Sequence, residues 1–259
     1  MPFAHVGDSE VHYRDAGDGI PVVFVHGNWA TSSWWEPTLA LLPPGLRGIA
    51  YDVRGRGQTS APDGDYAIPS LAADLFDFAD DVGLERFHVV GHSLGSAIAM
   101  EAALARPARL LTLVVVSPAW IDGMPASYAV PERQLQLKED AGFLAAALRA
   151  ICPAAPDDAF WRRLVQEGQA QRLEAALAVI PALRSWAPGD RVAEIRVPRA
   201  VISGALDAFT GGPNAERVAT ALGAELITLS GIGHGPMVEA PDAFMRALLA
   251  SLGVRDPRD

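Results

Sequence analysis

Cysteine is nearly absent from this 259-residue chain: Cys152 stands alone. One cysteine excludes an intramolecular disulfide and any thiolate metal cluster, and gives no sign of an oxidising compartment. Lysine is as scarce, since Lys138 is the only one. Schiff-base chemistry would have one candidate amine, in the polar stretch LQLKEDAG. No basic run occurs, and the net charge is -10 from 21 basic and 31 acidic residues. A polyanion such as nucleic acid is therefore not an expected partner. The N-terminal stretch MPFAHVGDSEVHYRDAG has no positive n-region, and no apolar run is long enough for a membrane span. A soluble cytoplasmic protein is the expectation. Metal-ligand spacing is missing too: His88 and His92 straddle a strand and a turn rather than one helix face, and the other histidines are scattered. Gly55-Arg56-Gly57 lacks the third glycine and immediate helix of a dinucleotide site, and no Walker-type loop exists. No metal and no cofactor is expected.

What is present is half apolar and strongly patterned. Short strands are expected at Val11–Asp15, Pro21–Val25, Leu46–Tyr51, Phe87–Val90 and Leu110–Val116. Helical spacing lies between them at Ser32–Leu42, Ser70–Val82 and Ser96–Arg106. Unbroken Val/Ile/Leu runs suit a parallel sheet covered on both faces. The alternation stops from about Ala119 to Ala193. Helical pieces recur there, at Glu139–Ile151, Asp157–Gly168 and Arg172–Leu183, among Pro153, Pro156, Pro181 and Pro188. It resumes with strand Arg199–Ser203, helix Asn214–Leu222, strand Glu225–Leu229 and helix Pro241–Leu252. The expected architecture is α/β: a core of residues 1–118 and 194–259, interrupted by a helical cap at 119–193. The polar tail after Gly253 is expected to fray.

Gly91-His92-Ser93-Leu94-Gly95 falls where an apolar strand ends and an apolar helix begins. A serine on such a tight turn needs small neighbours, because the backbones come close. It is lifted above the sheet edge with a helix N-terminus aimed at it. A serine hydroxyl is a poor nucleophile at neutral pH and requires a base, and the base an orienting acid. Asp207 follows strand 199–203, and His234 follows strand 225–229 between two glycines. All three residues then lie in loops at one edge of a parallel sheet, where open α/β sheets bind ligands. The order Ser93, Asp207, His234 is the one expected of a nucleophile, acid and base on this kind of sheet. Asp122, after the strand ending at Val116, is the rival acid.

With these landmarks the chain resembles the α/β-hydrolase superfamily, in its capped branch of serine esterases and lactonases. The resemblance rests on His26-Gly27 after a strand, on the segment Asp52-Val53-Arg54-Gly55-Arg56-Gly57-Gln58-Thr59-Ser60, on the elbow at Ser93, and on His234 followed by Glu239 and Pro241. It implies an α/β-hydrolase fold with a mostly parallel sheet, flanking helices and an inserted cap. It implies an oxyanion hole built from the backbone N–H groups of Leu94 and Asn28, with Trp29 as a rival second donor. Charges of the 52–60 segment would be structural. An asparagine after His-Gly also occurs in haloalkane dehalogenases, but those enzymes and the epoxide hydrolases use an aspartate nucleophile, and position 93 is serine. Asn28 is thus expected to fix its loop, or to add a side-chain donor. Trp29, Trp120, Phe143, Trp161, Trp186 and Phe209 are the expected pocket residues. The resulting expectation is a cofactor-independent serine hydrolase acting on a small or medium apolar ester or lactone. C–C hydrolysis, perhydrolysis and amide cleavage use the same triad, and a small-molecule receptor with slow turnover is the alternative outside enzymes. Oligomeric state is not legible.

Overall fold

The computed structural model describes residues 2–61 and 64–258. Its strands are β1 (Phe3–Val6), β2 (Ser9–Gly17), β3 (Gly19–Val25), β4 (Gly45–Tyr51), β5 (Phe87–His92), β6 (Leu110–Val116), β7 (Arg199–Gly204) and β8 (Glu225–Leu229). They form one sheet in the order β1-β2-β4-β3-β5-β6-β7-β8. From β4 to β8 all neighbours are parallel, while β2 runs antiparallel to β4 and β1 to β2. The helices are α1 (Glu36–Ala40), α2 (Ile68–Asp81), α3 (Leu94–Ala105), α4 (Pro131–Glu139), α5 (Ala141–Ile151), α6 (Ala159–Ala170), α7 (Leu173–Ser185), α8 (Pro213–Leu222), α9 (Pro236–Glu239) and α10 (Pro241–Leu252). This is the mostly parallel α/β sheet that the pattern of runs led us to expect, and the fold that the resemblance implied.

Alternation along each strand explains the layers. Val89, Leu113 and Val115 face one core with Leu71 and Leu75 of α2, Ile98 of α3 and Val218 of α8. Val90, Val114 and Val116 face the other, with Phe244 and Leu248 of α10 and Trp35. A parallel strand buried on both sides has no polar face to show, hence the run LLTLVVV.

Between β6 and β7 the described residues contain no strand. They hold α4 to α7 and a 3₁₀ turn at Gly189–Glu194. The helix expected from Glu139 begins instead after Asp140, whose carboxylate accepts from Phe143 N at 2.9 Å and caps α5. A separate helix, α4, precedes it. Pro181 lies inside α7 rather than between elements. Lys138 donates to the carbonyls of Gln169 and Gln171, both at 2.6 Å, closing the C-terminus of α6.

Three further differences from expectation concern the ends and the first loop. β1 was not expected; it pairs with β2 through a two-residue turn at Gly7-Asp8, where Gly7 has φ +55°. Ser32–Trp35 is a 3₁₀ turn, and only Glu36–Ala40 is α-helical. The C-terminal tail is tied back: Arg258 pairs with Asp256 at 2.6 Å and with Asp242 of α10 at 2.8 Å. Asp259 lies outside the described residues.

Leu113 is fully buried in the middle of the sheet. Leu113→Ala is expected to lower the unfolding free energy by about 2–5 kcal/mol, read from urea denaturation at constant m.

Candidate active site

The turn between β5 and α3 is built by exclusion. A Cβ on Gly91 would collide with the carbonyl oxygen of Gly95, and one on Gly95 with that of Val25 at the end of β3. Only glycine lets strand and helix touch there. Between them Ser93 adopts φ 53°, ψ -117°, a strained conformation for a residue with a side chain. Its backbone N–H donates to Val116 O at 3.0 Å, pinning the turn to the neighbouring strand. Gly27 also passes close: a Cβ there would be 2.9 Å from His92 Nδ1 and 3.1 Å from Ser93 Cβ.

His234 and Asp207 meet across the loops after β8 and β7. His234 Nδ1 lies 2.9 Å from Asp207 Oδ2. Asp207 Oδ1 accepts from the N–H groups of Phe209 and Thr210, each at 2.9 Å, and Oδ2 accepts from the Thr210 hydroxyl at 3.0 Å. Burial pushes this carboxyl up, yet the imidazole beside it and these donors hold it well below the usual carboxylate range. It is therefore an anion at neutral pH, facing Nδ1. Asp122, the rival acid, is engaged elsewhere: Arg217 grips both its oxygens at 3.0 and 2.9 Å on the surface.

His92 supports His234 from behind. Its Nε2 donates to the carbonyl oxygen of His234 at 2.9 Å, and its ring stacks on Trp34 at 5.7 Å between centroids. Burial and the neighbouring His234 push its pKa down to about 3, against the hydrogen bond to His234. His26 is pushed down to about 4 by burial, with Asp52 opposing, and its Nε2 accepts from Val53 N at 2.9 Å. Both are neutral structural groups.

Ser93, His234, Asn28 and Leu94 line one cavity of about 360 Å³. Its wall is mainly apolar, supplied by α5, α7 and the loops after β6 and β7. Of the expected pocket residues, Trp29, Trp120, Phe143 and Phe209 line it, whereas Trp161 and Trp186 do not. Trp161 sits one layer back, against Trp34 at 6.1 Å and under Arg149 at 4.9 Å. Trp186 turns to α3, where its indole N–H donates to Glu101 at 2.9 Å. Both sit at helical spacing that serves the core.

Among the described residues, no backbone carbonyl accepts from the N–H groups of Asn28, Trp29 or Leu94. Trp29 has φ 55°, and its indole N–H donates to Gln134 of α4 at 3.0 Å. The Asn28 side-chain oxygen accepts from Arg56 at 3.0 Å. In the 52–60 segment, Asp52 binds His12 at 2.7 Å, Ser32 N at 2.7 Å and Gln58 N at 3.0 Å, and Arg54 pairs with Asp74. No motif singled out Thr210, Gln134 or the role of His92. Only the position of Thr210, three residues after Asp207 in a turn, was a usable signal. Among the described residues no group of three or more His, Cys, Asp or Glu could hold a metal ion, and no helix is long and apolar enough to cross a membrane.

A model of the alpha/beta hydrolase family matches residues 22–247, and the chain belongs to that family. Among its relatives is a protein of Variovorax paradoxus provisionally named carbamate hydrolase RutD, 32% identical over 259 residues, covering 92% of this chain and 94% of that one. A hydrolase of Pseudomonas aeruginosa PA01 superposes with a TM-score of 0.87 at 27% identity, over 98% of both chains. The enol-lactonase of Burkholderia xenovorans LB400 shares the fold, with a TM-score of 0.84 at 24% identity over 97% of this chain and 100% of that one.

Two measurements test this geometry. Gly95→Ala is expected to destabilise the chain by several kcal/mol or to leave it insoluble, because the obstructing atom is backbone and cannot rotate away; soluble expression and thermal melting read this. The histidines set an acid limit. Their folded pKa values of about 4 and about 3 lie below the ordinary 6.5, so the unfolded chain binds more protons between those values. Their contribution is intact above pH 6.5 and is lost as pH falls towards 4 and 3. Each adds a slope of up to about 1.4 kcal/mol per pH unit. Urea unfolding from pH 8 to 4 should show the decline, with a shallower slope in His92→Gln.

Proposed function

We propose that the protein is a serine hydrolase working by acyl transfer on a small or medium carboxylic ester or lactone. The observation that carries this reading is the convergence of Ser93, His234, Asn28 and Leu94 on one mainly apolar cavity, with His234 held by a buried Asp207 at 2.9 Å. Ser93 Oγ attacks the carbonyl carbon while its proton passes to His234 Nε2. Asp207 accepts from Nδ1–H, which fixes the tautomer and stabilises the imidazolium. The oxygen of the tetrahedral intermediate takes hydrogen bonds from the N–H groups of Leu94 and Asn28, both without a backbone partner among the described residues. Collapse breaks the C–O bond, and His234 returns the proton to the leaving alcohol. Water, deprotonated by His234, then attacks the acyl-enzyme and frees the acid. No step calls for a metal or cofactor.

Residues 119–193 act in this reading as a cap over the core of residues 1–118 and 194–259. Phe143 of α5, with Trp120 and Phe209, provides a dry wall for an apolar acyl or alcohol group. The carbamate hydrolase name of the relatives favours a second bond type. A carbamate carbonyl offers the serine the same electrophile: the alcohol leaves after the same proton return, and water then frees carbamic acid from the carbamoyl-enzyme.

Turnover of p-nitrophenyl esters from acetate to long acyl chains, beside a p-nitrophenyl carbamate, tests both. Ser93→Ala and His234→Ala are expected to fold normally and to lose about 10³-fold or more in kcat, and Asp207→Asn about 10²–10⁴-fold. Rates should peak at short to medium acyl chains. Turnover retained in purified Ser93→Ala would overturn the assignment.

A further inference from the structure

Arg56 is a buried charge that forms no ion pair among the described residues. It is 1% exposed, although it belongs to a segment whose other charges are paired. Arg54 meets Asp74 and Asp52 meets His12, whereas Arg56 forms no ion pair among the described residues. Its Nη1 donates to Arg54 O at 3.1 Å, and Nη2 to Asn28 Oδ1 at 3.0 Å and Ala175 O at 3.2 Å. Every acceptor is neutral, and Nε has none. Burial lowers its pKa to about 10, which still leaves it protonated at neutral pH. An isolated cation in such a place costs folding energy. A neutral side chain of similar length could fill the space at less cost.

What the cation touches suggests its use. Asn28 Oδ1 must be the atom facing the guanidinium, because a donor cannot face a donor. That contact fixes the Asn28 side chain, and through it the loop that follows Gly27 against Ser93. The same nitrogen ties the loop to α7, whose Ala175 is fully buried. No ion pair among the described residues compensates the positive charge, and in a dry interior an unpaired charge is felt further than in water.

We propose that Arg56 is a positioning residue for acyl transfer, holding Asn28 so that its N–H meets the negative oxygen of the tetrahedral intermediate and placing an uncancelled positive charge behind that donor. This rests on the serine-hydrolase reading. The charge is useful only when the oxyanion forms, so its loss should slow turnover and leave ground-state binding alone.

The test compares Arg56→Met, Arg56→Lys, Asn28→Ala and Ser93→Ala on a p-nitrophenyl ester, with melting temperatures and inhibition by a boronic acid that forms a tetrahedral adduct on serine. Arg56→Met is expected to melt at or above the wild-type temperature, to lose about 10- to 100-fold in kcat with KM within about twofold, and to weaken boronate inhibition by the same factor as kcat. Arg56→Lys, with charge but no fork, should fall between the two. A folded Arg56→Met with wild-type kcat, or with a loss confined to KM, would overturn the proposal. Should that variant not fold, Asn28→Ala decides in its place: a comparable kcat loss supports the proposal and wild-type kcat overturns it. An active Ser93→Ala brings down both readings; an inactive one beside an unimpaired Arg56→Met brings down this one alone.

Discussion

Two backbones in contact organise this molecule. Carbonyl oxygens of Gly95 and Val25 occupy the space where side chains at positions 91 and 95 would begin. That contact locks β3, β5 and α3 together at the sheet's C-terminal edge, and the turn between them leaves Ser93 strained at φ 53°. The strain is sustained because the flanking elements are buried on every side: all six residues of β5 and most of α3 are inaccessible. A loosely packed sheet would relax the turn and lower the hydroxyl out of the cavity. The sheet's length and apolarity therefore serve the site directly.

Polar groups around that contact fall into two kinds. Some are neutralised by burial or by partners: His26 and His92 as uncharged rings, Asp52 by His12 and two N–H groups, Arg54 by Asp74. Others keep their charge in the interior. Asp207 is an anion surrounded by donors, and Arg56 is a cation surrounded by neutral acceptors. The anion lies beside the imidazole and the cation beside the loop after His26-Gly27. Two buried charges of opposite sign thus border the loops that line the cavity.

Much of this was legible before any coordinates. Runs such as LLTLVVV can only be strands buried twice, and glycines around Ser93 and His234 marked the loops that matter. The helices between β6 and β7 were harder to read. α4 is PERQLQLKE, mostly polar, and buries only Gln134 and Leu137, so its periodicity barely rises above that of a loop. β1 escaped notice because four residues leave no pattern until β2 pairs with them. Large aromatics misled for a related reason: Trp161 and Trp186 look like Phe143 in sequence, and only packing tells a wall of the cavity from the layer behind it. Arg56 shows the same limit for charge. Its neighbour Arg54 is the same residue two positions away, yet one is paired at 2.5 Å and the other forms no ion pair among the described residues.

The scarcity of lysine has an outcome beyond composition. Lys138, the sole side-chain amine, spans from α4 to the last carbonyls of α6. Amine-directed reagents such as succinimidyl dyes or formaldehyde would find no other side chain to attack. A label placed there would report the seam between α4 and α6, the two helices whose Gln134 and Glu167 reach Trp29 and Thr31. Acylation of that one nitrogen would remove the charge that closes α6, so the chain carries one side-chain handle, a turn along α4 from Gln134 of the cavity wall.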